Sequence, residues 1–174
     1  MTFLELARKR YSCRNYQDKK VEKEKLDIIL EAGRVAPTAV NFQPQRLLVI
    51  TKAEGLEKAG RAARIFGAPL IIIVCTDKDT VWTRKIDQKK TTDIDASIIT
   101  DHMMLAATEL GLGSVWICNF NAEVLKNEFK IPDNYEPVNI LALGYEAGEG
   151  KSPDRHDEMR FPIEQTVFYE SYEK

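Results

Sequence analysis

A sheet covered by helices on both faces, in the α+β class, is the fold this sequence predicts. Three observations carry that expectation. Apolar runs of strand length alternate with patterned stretches of helix length. One run, "PLIIIVCT" (69–76), is β-branched or apolar throughout, as suits a strand buried on both faces. Two helical stretches precede the first strand, so the order is not the βαβ repeat of a dinucleotide fold. At 174 residues the chain has the length of one domain with a real core, and a single domain over 1–174 is expected.

Residues 2–10 read as a short helix. "VEKEKLDIILEAG" is amphipathic, with Leu26, Ile29 and Leu30 on one face and Gly33 near its end. "PTAVNFQPQ" (37–45) carries two prolines and an asparagine and reads as a loop. The strand "RLLVIT" (46–51) follows, then the helical pattern "AEGLEKAGRAARI" (53–65), then the buried strand at 69–76. Residues 77–91 are polar and predict a loop or short excursion, with Trp82 isolated among charged residues. "DIDASIITDHMMLAATELG" (93–111) is apolar on most faces and predicts a central helix packed inside the fold. Two more strands, 113–118 and 137–145, flank a helix at 122–129. From Glu146 the chain is polar for fifteen residues, then ends in "RFPIEQTVFYESY".

Composition narrows the function. A formal net charge of −2 argues against a broad polyanion-binding surface, which disfavours nucleic acid. No apolar run approaches the roughly 20 residues needed to span a bilayer, and the N-terminus lacks a signal-peptide core, so a cytoplasmic protein is expected. Cys13, Cys75 and Cys118 form no C-x-x-C pair, and the two histidines have no ligand spacing, so reduced thiols and no metal are expected. "GLGS" (111–114) has two of the three glycines of a dinucleotide fingerprint and sits between helix and strand, the wrong order.

The feature that points to chemistry is "RKRYSCRNYQDKKV" (8–21). Arg10 and Arg14 bracket Ser12, so two guanidinium forks and a hydroxyl can converge on one small anion. A planar fork donates paired hydrogen bonds and keeps its charge, which suits phosphate. The alternative is a helix C-terminus whose cations complement the helix dipole.

Four motifs in order settle the resemblance. They are Arg10-Tyr11-Ser12-Cys13-Arg14; Ala36-Pro37-Thr38-Ala39-Val40-Asn41-Phe42-Gln43-Pro44; the apolar helix ending in "LAATELGLGSVWI"; and Arg160-Phe161-Pro162. Together they resemble the FMN-dependent nitroreductase family over nearly the whole chain. The resemblance implies a three-layer fold with a mixed β-sheet flanked by helices and a C-terminal tail exchanged in a homodimer. It implies FMN at the dimer interface and NADH or NADPH as electron donor. The activity implied is ping-pong hydride transfer through FMN to a nitroaromatic, quinone or similar electron-poor small molecule. Arg10, Tyr11, Ser12 and Arg14 would hold the phosphate and ribityl chain, with Arg160 closing from the C-terminal segment. Pro37, Thr38, Ala39 and Asn41 match a loop that reaches the flavin from the other subunit. Trp116, Ile117, Cys118 and Asn119 match the strand end lying along the ring system. No protein acid, base or nucleophile is then required, because the cofactor carries the chemistry.

The chain departs from the family pattern twice. Where relatives often have Lys or Arg two residues before the C-terminal arginine, Glu158 stands here, and Arg155 is the candidate replacement. An Asn and a Lys that larger members supply between the first two strands have only Arg61 or Arg64 as stand-ins. Other residues have plain structural readings. Trp116 reads as packing, Cys118 as a small buried hydrophobe, Cys13 as pointing away from the site, and His102 as a satisfied core or interface histidine. Trp82 has two readings, the substrate mouth or simple packing. Competing functions are a specialised reductase of the same fold (a dehalogenase or enone reductase), an oxygen-using flavin destructase, and a non-enzymatic flavin store or sensor.

Overall fold

The structure is a computed structural model describing residues 1–172; the last two residues of the expected 1–174 domain lie outside the described residues. Its elements run α1 (Phe3–Lys9), α2 (Lys23–Val35), β1 (Gln45–Ile50), α3 (Ala53–Ala62), β2 (Leu70–Asp77), α4 (Thr92–Glu109), β3 (Gly113–Ile117), α5 (Ala122–Phe129), β4 (Tyr135–Gly144) and α6 (Arg155–Met159). Single 3-10 turns lie at Ala39–Asn41 and Ile163–Gln165.

The apolar run of β2 organises the layers. Successive side chains of a strand point to opposite faces, so its buried residues feed two cores. Leu70, Ile72 and Val74 pack with Ile29 of α2 and Ile99 and Met103 of α4. Ile71, Ile73 and Cys75 pack with Ala59 of α3 and Leu125 of α5. Helices therefore cover both faces, as expected. Across the sheet the order is β1-β2-β4-β3, with Ile73 opposite Leu48 on one side and Ile140 on the other, and Trp116 opposite Leu141.

Here one detail of the expectation is corrected. All three strand pairings are antiparallel, not mixed. The parallel element is confined to an isolated bridge between Ser12 and Ser114, where the N-terminal segment runs beside the edge strand β3.

Other boundaries shift for local reasons. The helix read at 53–65 stops at Ala62, because Ala63 is extended and bridges Phe120. The second helix continues past Gly33 to Val35; a Cβ at Gly33 would meet Met103 Cγ at 2.9 Å, so this glycine permits close packing and does not end the helix. Within 77–91 the chain folds back on itself at a bridge between Thr83 and Lys90, with Trp82 half-buried and Ile86 94 % exposed at the turn. The helix α6, inside the polar stretch, was not expected.

Side-chain caps open α1 and α5. Asn121 accepts a hydrogen bond from the Val124 N–H at 3.1 Å and opens α5, which packs Leu125 into the second core. Asn121→Ala should cost about 0.5–2 kcal/mol of stability, read as a lower urea midpoint with an unchanged slope. A midpoint equal to wild type would show that the cap contributes nothing.

Candidate functional site

After α1 the chain becomes extended and lies along β3. The Cys13 N–H donates to the Ser114 carbonyl at 2.8 Å, beside the Ser12 bridge. Cys13 is buried, its thiol donating to the Asn15 carbonyl, so it points inward as the sequence reading expected. Extended alternation then leaves Ser12 half-buried and Arg14 exposed.

The second wall comes from the far end of the chain. Arg10, Tyr11, Ser12 and Arg14 line a cavity of ≈ 460 Å³ together with Lys151, Ser152, Arg155, His156, Met159 and Arg160. That volume lies in the range of small-ligand sites. Five of the lining side chains are Lys or Arg, and none is Asp or Glu. Among the described residues, none of these five cations forms an ion pair. Arg10 registers the imbalance. Burial, then the charges of Arg155 and Arg160, push its guanidinium below its ordinary value, and Asp101 opposes them. A half-buried cation among like charges is stabilised by an anion, and a phosphate matches the donors present.

Each cation is held differently. The Arg14 guanidinium lies 5.7 Å from the Phe66 ring centroid and donates to the Ser12 carbonyl at 3.4 Å. Arg64 stacks on the same ring at 5.0 Å. Arg155 donates to backbone carbonyls of Arg10 at 2.6 Å and Ser152 at 2.7 Å. Glu158 is exposed and is not among the lining residues, so its charge lies outside the cavity wall. Of the two stand-ins raised from sequence, Arg61 is committed to Glu57 and Glu128, which leaves Arg64.

The remaining expected residues do not join this cavity. Pro37, Thr38, Ala39 and Asn41 belong to a loop at the other end of α4. Asp95, 1 % exposed, accepts there from the Ala39 N–H at 2.8 Å and from the Thr91 hydroxyl at 2.8 Å. That loop is strained, with left-handed φ at Val40 (53°), Asn41 (58°) and Gln43 (51°). Trp116 packs against the α2–α4 core and Ile117 is buried in the other core. Asn119 lines a separate shallow pocket with Arg64. Cys118 corrects the sequence reading: it is exposed, lying one residue past the end of β3 at Ile117. His102 is satisfied, its Nδ1 lying 2.9 Å from the Ile98 carbonyl.

Lys151, Ser152 and His156 line the cavity and were not singled out from sequence. The one available signal was the cationic content of "KSPDRHDEMR", which dense acidic residues obscure.

Comparison with known proteins gives one family. The model of the Nitroreductase family matches residues 7–65 and 54–145. A nitroreductase family protein of Clostridium difficile superposes with a TM-score of 0.97 at 60 % identity, covering 98 % of this chain and 99 % of that one. Another structure from that organism, named FMN-dependent nitroreductase, has a TM-score of 0.81 at 29 % identity, covering 98 % of this chain and 100 % of its own. A Methanothermobacter thermautotrophicus protein with the provisional name NADH dehydrogenase/NAD(P)H nitroreductase is 33 % identical, over 94 % of this chain and 87 % of its length.

Proposed function

This chain belongs to the nitroreductase family, and from that premise we propose that it is an NAD(P)H-dependent flavin oxidoreductase holding FMN at the cation-lined cavity. One observation supports the placement: five cations, none of them in an ion pair among the described residues, line one cavity with Ser12, and no carboxylate stands in its wall. The names of its relatives, FMN-dependent in one and NAD(P)H-linked in another, support the cofactor and donor.

When bound, FMN would supply the chemistry, accepting hydride from NADH or NADPH and passing it to a nitroaromatic, quinone or similar electron-poor small molecule. The chain supplies binding and orientation. Arg10, Ser12, Arg14 and Arg160 would hold the phosphate end, and Tyr11, braced by its hydroxyl on Glu146, borders them. Trp116, Ile117, Cys118 and Asn119, at the end of β3, would flank the flavin ring. Pro37, Thr38, Ala39 and Asn41 serve the site of a second copy, in keeping with their distance from the cavity of their own chain. The unit is a single-domain homodimer, supported by the apolar residues a lone chain exposes on α1 and the loop, Phe3 (72 %), Leu4 (67 %) and Val40 (67 %). A cytoplasmic location agrees with three free thiols and with described helices too short or too polar to cross a membrane.

The purified protein should be yellow with FMN, and Arg10→Ala should weaken FMN binding about tenfold or more, the worth of hydrogen bonds from a charged group. Under nitrogen, NADH or NADPH should bleach it and a nitroaromatic should restore the colour, with ping-pong kinetics. A colourless protein that takes up no added FMN rejects the placement. Bound flavin that neither nicotinamide reduces makes the protein a store or sensor.

A further inference from the structure

The short helix α6 makes contacts the cofactor reading does not use. Three successive side chains of a helix that buries nothing reach back to the same three-residue stretch, Arg8 to Arg10. Arg155 Nη2 donates to the Arg10 carbonyl at 2.6 Å while its Nη1 donates to the Ser152 carbonyl at 2.7 Å. His156 Nε2 lies 3.1 Å from the Arg8 carbonyl. Asp157 accepts both terminal nitrogens of Arg8, at 2.9 and 3.3 Å. These contacts join the two walls of the cation cavity at the point where its like charges push them apart.

We propose that Arg155, His156 and Asp157 form a latch, a set of positioning residues that holds the C-terminal wall against the N-terminal one and sets the preference for a phosphate-bearing ligand. This rests on the flavin reading above. The latch also accounts for Glu158. A cation at that exposed position would not face the cavity, whereas Arg155 keeps its charge in the lining while both arms of its fork are tied to backbone. Arginine suits this, because its two terminal nitrogens sit in one rigid plane and each takes a separate carbonyl, whereas a lysine presents its donors from a single nitrogen on a flexible stem. The Arg8–Asp157 pair is exposed and contributes modestly by itself. Its effect is on alignment, since cations displaced by an ångström lose paired contact with a phosphate.

The experiment titrates the full-length chain with FMN and with riboflavin, which lacks the phosphate. Arg155→Lys should lose about tenfold in FMN affinity, close to the loss in Arg155→Gln, with riboflavin affinity unchanged. Asp157→Asn should lose about two- to fivefold for FMN alone, and the exchange Arg8→Asp with Asp157→Arg should recover it. Wild-type FMN affinity in Arg155→Lys would reduce Arg155 to a charge and overturn the latch. Equal losses for both flavins would mark a merely structural role and overturn it too. If wild type shows no preference for FMN over riboflavin, the flavin reading fails separately. The latch is then decided with inorganic phosphate, whose stabilisation of wild type should shrink in Arg155→Lys and Asp157→Asn; equal stabilisation of all three would overturn it.

Discussion

Gly113→Ala should strip the protein of flavin, although residue 113 lies behind the anion cavity and not in its wall. A Cβ at Gly113 would stand 2.8 Å from both Cβ and Sγ of Cys13, closer than side-chain carbons tolerate. Neither neighbour has room to yield, because Cys13 is buried and its N–H is bonded to Ser114. The segment 11–14 must therefore lift from β3, and Arg10, Ser12 and Arg14 lose their common aim. Overpacking of this kind costs about 1–3 kcal/mol of stability, and the larger effect falls on FMN retention. Cys13→Gly in the same chain removes both clashing atoms and should restore part of the loss, a coupling that a double-mutant cycle measures. Gly113→Ala with wild-type flavin content and thermal midpoint would show that the segment is held by something other than this contact.

That contact also illustrates what a sequence conceals. Periodicity was enough for the layers, because β2 is apolar from Leu70 to Cys75 and buried along its whole length, and α5 carries its pattern within the stretch read from 122 to 129. It was enough for Arg10, Ser12 and Arg14, whose spacing brings them to one cavity. It could not reveal α6, which has five residues, buries none of them and has a reason to exist only in its contacts with Arg8 and Arg10, some 145 positions earlier. Asp95 was hidden for a related reason. An acid in the first turn of a helix reads as a solvated partner of the dipole, yet this one is buried and spends its oxygens on the Ala39 N–H and the Thr91 hydroxyl. Cys118 was not legible from alternation, because the face it would share with Trp116 is also covered; its exposure comes from lying past the end of β3 at Ile117.

A chain ending at Arg160 should fail as a dimer and lose FMN, although it retains every residue that lines the cation cavity. The segment removed begins with Phe161 (77 % exposed) and Ile163 (67 %) and includes Tyr169 (84 %) and Tyr172 (85 %), with the Phe168 and Tyr172 rings 5.1 Å apart between centroids. So much aromatic surface is costly to leave in water, at about 25 cal/mol per Å², and a partner subunit is the surface our reading assigns to it. Two consequences can then be separated. If the tail wraps a second copy, truncation should shift the mass in solution from dimer to monomer or aggregate. If the loop carrying Pro37, Thr38, Ala39 and Asn41 completes the flavin site of that second copy, FMN should leave as the dimer dissociates, even with Arg10, Arg14, Arg155 and Arg160 intact. Light scattering with simultaneous absorbance at the flavin band reads both at once. A truncated monomer that keeps FMN as tightly as the full chain would mean that each cavity is complete in its own subunit, and the shared-site proposal would fall.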